Sequence, residues 1–145
     1  MSRRDDVLAE LLERCRRDHQ AWINGDGSPY GLPDDGTILG AVGAYRFGGE
    51  ETRKLQVAVA AQWQSGIGSV ELLNGSVEGN VAWLVMIERA SVTLAGEQDV
   101  RRWDLRVTEI FRDGPDGWER VHRHADPLVD RHPLPDLVAL LDRAE

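Results

Sequence analysis

The chain has 145 residues, of which 41% are hydrophobic and 29% charged, which favours one folded domain over residues 1–145 and excludes a largely disordered chain. Its 25 acidic residues outnumber 17 Lys and Arg, and the net charge of -8 disfavours nucleic acid and anionic membranes as partners. No apolar run long enough for a signal sequence or a membrane span follows "MSRRDDVLAELLERCRR", so we expect a cytoplasmic protein.

The first predicted element is a helix from about Asp5 to Asn24. Ser2 and Asp5 have the spacing of a capping box, and Gly25 is placed to end the helix. Cys15, the only cysteine, lies on the apolar stripe of this helix. An internal disulfide is therefore excluded, and we predict a thiol packed in the core.

A loop rich in Gly, Pro and Asp follows, and the short apolar run "TILGAVGAY" then predicts a first strand. The next segment, "GGEETRKLQVAVAAQWQ", consists largely of good helix formers. It predicts a second helix that places Leu55, Ala58, Val59 and Trp63 on one face.

From Gly68 onward, β-branched and aromatic residues are interrupted by turn sequences, which predicts four successive strands. The turns "EGN", "AGEQD" and "DGPDG" favour an antiparallel meander. The dipeptide "NG" at Asn74 is a competing hairpin signal, but a bulge there preserves the longer pairing and is our prediction.

A short C-terminal helix is predicted after Pro133 and Pro135. Its apolar residues have helical spacing: Leu134, Leu137, Val138 and Leu141. Helices that are separated in sequence from an antiparallel meander are typical of an α+β fold.

This order of elements resembles the nuclear transport factor 2-like superfamily, specifically its SnoaL-like and ketosteroid-isomerase-like branch. The resemblance rests on "NGDGSPYGLPDDGTILGAVGAY", on "LRVTEIFRDGPDGWERVHRHADPL" and on the helix between them, and it covers nearly the whole chain. It implies a single SnoaL-like domain with a cone-shaped, cystatin-like α+β roll, in which a strongly curved, mainly antiparallel sheet wraps around N-terminal helices. It also implies a homodimer and an apolar pocket at the open end of the cone.

The segment "HRHAD" carries the candidate catalytic residues His122, His124 and Asp126. Alternation along a strand places all three on one face, and histidine suits proton transfer near neutral pH. Hydrogen-bonded histidines in a polar wall or an interface are the structural alternative. The spacing is a weak metal motif because it lacks a third strong ligand, so we expect no metal and no cofactor.

Six further residues are predicted to line the pocket. On the preceding strand, Asp104, Arg106 and Thr108 share the less apolar face, and the resemblance places Arg106 and Thr108 looking into the cone. Glu88 is a candidate acid or base. Trp22 and Trp63, near the ends of the two helices, are expected at the mouth of the cone, where flat side chains suit a ring-containing ligand.

The activities that the resemblance implies include isomerisation, polyketide cyclisation, dehydration and epoxide hydrolysis. Authentic ketosteroid isomerase activity is disfavoured, because Gly40 stands where the isomerase base is expected and Asp18, beside His19, stands near the expected oxyanion tyrosine. Asp104, Arg106 and Asp126 loosely match an epoxide hydrolase relay, but an ion pair of Asp104 with Arg106 along a solvated strand is the simpler interpretation.

Two hypotheses follow. The first is an apolar pocket for a small oxygenated or ring-containing molecule, with acid–base chemistry of the isomerase, cyclase, dehydratase or hydrolase type. The alternative is a non-catalytic ligand-binding or homodimeric assembly module.

Overall fold

The structure of the protein, a computed structural model, describes residues 2–143. The elements in chain order are α1 (Arg3–Trp22), a 3₁₀ turn (Ser28–Tyr30), β1 (Thr37–Leu39), β2 (Tyr45–Phe47), α2 (Gly49–Ala60), β3 (Trp63–Glu78), β4 (Val81–Leu94), β5 (Arg101–Arg102), β6 (Leu105–Gly114), β7 (Gly117–Pro127) and α3 (Leu134–Asp142).

Helix α1 begins with the predicted capping box. The Ser2 hydroxyl accepts a hydrogen bond from the Asp5 N–H at 3.2 Å, and the Asp5 carboxylate accepts one from the Ser2 N–H at 3.3 Å. These bonds satisfy backbone donors that the start of a helix leaves free. Val7, Leu11 and Cys15 are buried at four-residue spacing, so the prediction that Cys15 is a core thiol is confirmed.

The strands form one mixed sheet in the order β2-β1-β7-β6-β4-β3, with β5 paired to β4. The predicted antiparallel meander is confirmed, because β3 pairs with β4, β4 with β6 and β6 with β7 in antiparallel register. The predicted single first strand is instead a short hairpin of β1 and β2, and β1 pairs with β7 in parallel register. Helices packed on an open sheet confirm the α+β prediction.

A bulge at Leu73, between Leu72 and Asn74, interrupts the pairing of β3 with β4. The prediction of a bulge at "NG" is therefore confirmed. The placement of Trp63 on the second helix is wrong, because this residue begins β3. After the helix ends at Ala60, the chain turns and its extended backbone pairs with β4, and this pairing overrides the helical spacing of Trp63.

Helix α2 buries a different face from the predicted one. Its buried residues are Thr52, Gln56 and Ala60, whereas Leu55 and Val59 are only half-buried. Burial of the two polar side chains is tolerated because both are bonded: the Thr52 hydroxyl donates to the Gly48 carbonyl at 2.8 Å, and Gln56 accepts from an indole N–H.

The meander has two faces, which we call the helix-packed face and the open face. The helix-packed face bears most of the core and lies against α1, and the open face points away from the helices. The buried residues of this larger core cluster are Val7, Leu11, Cys15, Val70, Val77, Ala82, Leu84, Met86, Leu105, Val107, Phe111 and Ala125.

A second bulge, at Val121 in β7, changes which residues face the helices. Ile110 pairs with His122, but Phe111 pairs with Arg120, so Val121 has no partner opposite. Strict alternation predicts Arg120 on the same side as His122. That prediction is wrong, since the extra residue turns Arg120 to the helix-packed face, where it is 1% exposed.

The predicted C-terminal helix is confirmed as α3, but none of its residues is buried. Its large apolar side chains are between 42% and 72% exposed: Leu134, Leu137, Val138, Leu140 and Leu141. The helices within residues 2–143 include none with the length and apolar character needed to cross a membrane.

Candidate functional site

Five charged residues are buried together under the helix-packed face, and we call them the buried ion network: Asp18, Glu88, Glu109, Arg120 and Arg123. Arg123 is at its centre. Its two terminal nitrogens donate to the two oxygens of Glu88 at 2.9 Å each, and one of them also lies 3.2 Å from Glu109. A two-pronged guanidinium–carboxylate pair fixes both side chains in position.

Arg120 completes the network between two aromatic rings. One terminal nitrogen donates to Asp18 at 2.9 Å, and Nε lies 2.7 Å from Glu109. The guanidinium carbon is 4.6 Å from the centre of the Tyr30 ring and 5.0 Å from that of Phe111. Aromatic faces and carboxylates together stabilise a cation that has lost its hydration.

The network favours the charged forms of Glu88, Arg120 and Arg123. Burial alone raises the pKa of Glu88, but the charge and hydrogen bonds of Arg123 outweigh burial and lower that pKa below its usual range. Burial lowers the pKa of Arg123, whereas the charges of Glu88 and Tyr30 raise it, and the net direction is upward. Burial also raises the pKa values of Cys15 and Tyr30, which favours the neutral forms of both. The charged forms of Glu88 and Arg123 thus depend on each other.

Glu88 has a second neighbour, His19. The histidine is 2% exposed, and its Nδ1 lies 3.5 Å from Glu88 while its Nε2 lies 3.4 Å from the Arg89 carbonyl oxygen. A carboxylate beside one ring nitrogen orients an imidazole and leaves the other nitrogen for further contacts.

Three tryptophans form an aromatic cluster, in which Trp22 is buried and Trp63 and Trp103 are half-buried. Trp22 stacks on Trp103 with ring centres 6.1 Å apart, and Trp63 meets both edge-on at 5.9 Å and 5.3 Å. The Trp22 indole N–H donates to Gln56 at 2.7 Å. Within residues 2–143, the buried N–H groups of Trp63 and Trp103 have no acceptor. Such groups carry an energetic cost that a bound acceptor removes.

A cavity of about 30 Å³ lies beside this cluster, where the β1–β2 connection meets α2 and the sheet. This volume holds water but no organic ring. The lining residues are Trp22, Gly40, Ala41, Val42, Leu55, Gln56, Val59, Trp103, Leu105, Arg123 and Ala125. Among these described residues, Arg123 alone is charged, and none carries a carboxylate or an imidazole. The wall therefore offers apolar contact and hydrogen-bond donors but no general base.

The predicted catalytic residues lie elsewhere. His122, His124 and Asp126 are on the open face, opposite Ile110, Thr108 and Arg106 of β6 respectively. The resemblance placed Arg106 and Thr108 toward the cone, whereas in the structure both lie on the open face and the helix-packed side of β6 carries the alternate residues Leu105, Val107 and Phe111. Whether the three residues act in catalysis stays a prediction.

The open-face residues form a chain of partly exposed contacts. Nδ1 of His122 lies 2.7 Å from the Thr37 hydroxyl, and Nε2 of His124 lies 3.7 Å from Asp126, which also accepts from Arg106 at 2.6 Å. Desolvation, followed by the neighbouring His124, lowers the pKa of His122. The shallow groove around these residues is also lined by Leu73, Val85, Met86, Ile87, Val107 and Thr108.

The other predicted pocket residues are dispersed. Trp22 lines the cavity and Trp63 packs behind it, while Glu88 belongs to the buried ion network. Asp104 pairs with Arg102 at 2.7 Å, so the suggested pair of Asp104 with Arg106 is wrong: Arg106 pairs with Asp126 on the adjacent strand.

Sequence reasoning missed Gln56, Trp103, Glu109, Arg120 and Arg123. A signal was present for Glu109, because alternation placed it among the apolar residues of β6, where a lone charge indicates a buried partner.

The two positions compared with the isomerase site have other roles in this structure: Gly40 lines the cavity, and the Asp18 carboxylate is bonded to Arg120. No group of three or more His, Cys, Asp or Glu residues within 2–143 is arranged to hold a metal ion.

No family model matches the sequence, and no curated protein matches it either. Similar solved structures include a candidate dehydratase of the nuclear transport factor 2-like family from Streptomyces avermitilis, with 18% identity, a TM-score of 0.73, and 86% of this chain and 98% of that chain covered.

A nuclear transport factor 2-like superfamily protein from Salmonella enterica serovar Typhimurium is 14% identical, with a TM-score of 0.72 and 88% and 95% of the two chains covered. A candidate calcium/calmodulin-dependent protein kinase II association domain from Xanthomonas campestris is 14% identical, with a TM-score of 0.64 and 86% and 88% covered. These similarities over nearly whole chains show that the protein has the nuclear transport factor 2-like, cystatin-like fold.

Proposed function

We propose that the protein binds a small apolar molecule with a ring and an oxygen acceptor, in an enlarged form of the cavity beside Trp22 and Trp103. The observation that carries this proposal is the composition of the wall. Aromatic and aliphatic side chains surround Arg123, and the lining residue Trp103 has a buried N–H without an acceptor. Pockets for small organic molecules combine such apolar walls with a few fixed polar groups.

The wall favours binding over catalysis. Acid–base chemistry needs a proton acceptor within hydrogen-bond reach of the ligand. The described lining residues include no such group, and Glu88, which is bonded to Arg123, is not among them. Acid–base catalysis through His122, His124 or Asp126 would take place on the open face, and it is a separate hypothesis. We therefore propose ligand binding in this cavity and assign no catalysis to it. We also propose that the protein is cytoplasmic.

Entry of a ring requires the cavity to open, and the β1–β2 connection is the part of the wall suited to move. Gly40, Ala41 and Val42 form this side of the cavity, and Val42 is 57% exposed. The flanking strands have three residues each, and Ala44 has a φ of 58°, which is costly for a residue with a Cβ. The exposed Val42 therefore contributes little packing that would oppose displacement of this segment.

Acetophenone and ethylbenzene provide a matched test, because they have similar shapes and only acetophenone has a carbonyl acceptor. We expect acetophenone to raise the melting temperature saturably and to bind more tightly than ethylbenzene. Trp103→Phe removes the N–H and keeps an aromatic ring, so it should weaken acetophenone binding roughly fivefold, the value of about one hydrogen bond.

Trp118→Phe is the control, since Trp118 does not line the cavity. Calorimetric titration of both compounds against the three proteins gives the affinities. Absence of binding of both compounds, or equal losses in the two variants, would contradict the proposal.

A homodimer is a second proposal, and it rests on the exposed apolar surface. Ile67 and Leu73 of β3 are 80% and 56% exposed, and the apolar side chains of α3 contact no core. A single copy leaves these surfaces in water, which is unfavourable. The Xanthomonas campestris neighbour bears the name of an association domain, and that name concerns the neighbour only. Sedimentation velocity should give a dimer at micromolar concentration, and a monomer throughout would refute this proposal.

A further inference from the structure

The cavity beside Trp22 and Trp103 has a single charged group among its described lining residues, and the surroundings of that group restrict the charge of a ligand. The group is Arg123, whose side chain is 9% exposed. A lone arginine in an apolar wall would favour an anionic ligand, because a carboxylate or phosphate would pair with the guanidinium. Arg123 is not alone, since two carboxylates of the protein already pair with it.

Glu88 and Glu109 use three of the five N–H bonds of Arg123. Nη1 donates to Glu88 at 2.9 Å and to Glu109 at 3.2 Å, and Nη2 donates to Glu88 at 2.9 Å. The centre of the Tyr30 ring lies 4.8 Å from the guanidinium carbon and adds a contact with the cation. Two N–H bonds are left without an acceptor among residues 2–143. Arg123 can therefore still donate to an oxygen, although its charge is already matched.

The buried ion network, together with the half-buried Arg14 beside it, forms a row of alternating cations and anions. Neighbouring members lie between 2.7 and 3.8 Å apart, and their order is Arg14, Asp18, Arg120, Glu109, Arg123 and Glu88. Three arginines thus face three carboxylates, and none of these cations is left over. An anionic ligand would add a fourth negative charge, and burial of a charge without its own counter-ion is strongly unfavourable.

The two carboxylates around Arg123 also have partners on their other sides. Glu88 lies 3.5 Å from Nδ1 of His19, and Glu109 lies 2.7 Å from Nε of Arg120 and accepts from the Cys15 thiol at 3.3 Å. Both carboxylates are at most 1% exposed. A carboxylate displaced from Arg123 would therefore stay buried with fewer partners, which opposes its exchange for the carboxylate of a ligand.

We propose that the cavity selects uncharged ligands, whose oxygen belongs to a ketone, an ester or an amide, and rejects carboxylates. Glu88 and Glu109 determine this specificity by matching the charge of Arg123, although neither lines the cavity. The inference rests on the proposed binding of a ring compound with an oxygen acceptor, and it adds the charge of that compound. A neutral oxygen can accept from the remaining N–H bonds of Arg123 or from the Trp103 indole without adding charge.

Acetophenone and benzoate test this selection, because both have a phenyl ring and a carbonyl oxygen but benzoate is ionised at neutral pH. We expect calorimetric titration to show that benzoate binds about a hundredfold more weakly than acetophenone. Glu88→Gln keeps the size of the side chain and removes one negative charge, so a cation becomes available to the ligand and the ratio of the two affinities should fall about tenfold. Glu71→Gln makes the same change at an exposed residue paired with Arg89, and this control should leave the ratio unchanged.

Failure of this inference is distinguishable from failure of the proposed function. If acetophenone does not bind, both are overturned. If acetophenone binds and benzoate binds equally tightly, only the charge selection is overturned, and this wild-type comparison needs no substitution. Equal changes of the ratio in Glu88→Gln and Glu71→Gln would also overturn it. A cooperative melting transition and retained acetophenone binding would verify the fold of Glu88→Gln, and Glu109→Gln repeats the test at the other partner of Arg123.

Discussion

The meander carries an arginine–carboxylate pair on each of its faces, one between β6 and β7 and the other between β4 and β7, and the two pairs differ in solvent exposure more than in distance. On the open face, Arg106 lies 2.6 Å from Asp126, with the side chains 63% and 38% exposed. On the helix-packed face, Arg123 lies 2.9 Å from Glu88, with the side chains 9% and 1% exposed. The shorter pair is the weaker one, because water screens it and competes for its hydrogen bonds.

The largest expected effect comes from removing the arginine of each pair. Arg123→Met leaves Glu88 and Glu109 buried without their shared cation, so we expect a loss of about 3–5 kcal/mol in the free energy of unfolding. Arg106→Met removes a screened pair and should cost less than about 1 kcal/mol. Urea denaturation of both variants measures the difference.

A matched rescue sharpens this comparison. If the loss in Arg123→Met arises from unpaired charge, then adding Glu88→Gln should recover part of it, because the second substitution removes one uncompensated carboxylate. Equal losses for Arg123→Met and Arg106→Met would show that burial does not separate the two faces.

As the pH falls, the stabilising contribution of His122 on the open face should be lost before that of Glu88 on the helix-packed face. The folded-state pKa of His122 is lowered, so its small stabilising contribution is present above the ordinary pKa of 6.5 and is lost below pH 6.5, as the pH falls through the lowered folded-state pKa. The pKa of Glu88 is also lowered, so its contribution is present above 4.5 and is lost as the pH falls below that value.

Denaturation midpoints measured between neutral and acidic pH would resolve the two steps. His122→Asn should remove the shallow loss below pH 6.5, and Glu88→Gln should reduce the steeper loss below pH 4.5. A profile that Glu88→Gln leaves unchanged would mean that Glu88 is not held as a stabilising carboxylate.

The contrast between the two faces also explains which features could be predicted from the sequence. Hydrophobic alternation and turn residues act locally, so they predicted the meander, the bulge beside Asn74 and the α+β class. The candidate site depends on which side of β7 each residue faces. One unpaired residue, Val121, turns Arg120 inward, and no local pattern marks that position. Similarly, the cavity joins Gln56 to Trp103 across long sequence separations, which alternation alone does not reveal.

A smaller effect distinguishes the tryptophans. Trp22 and Trp63 belong to one aromatic cluster, but the Trp22 N–H is bonded to Gln56 and the buried Trp63 N–H has no acceptor. Trp22→Phe leaves the Gln56 oxygen without that bond, so it should destabilise the protein by about 1 kcal/mol more than Trp63→Phe. Equal losses in urea denaturation would assign the energy to ring packing alone.

The smallest expected effect decides which face binds ligand. His124 is exposed on the open face, where its contact with Asp126 is long, so His124→Ala should change the free energy of unfolding by less than about 0.5 kcal/mol. Because His124 is not among the cavity residues, acetophenone affinity should be unchanged as well. Calorimetric titration of the variant checks this, with Trp103→Phe as the positive control. A loss of affinity in His124→Ala without a loss of stability would instead place the ligand on the open face, beside the histidines that the sequence favours.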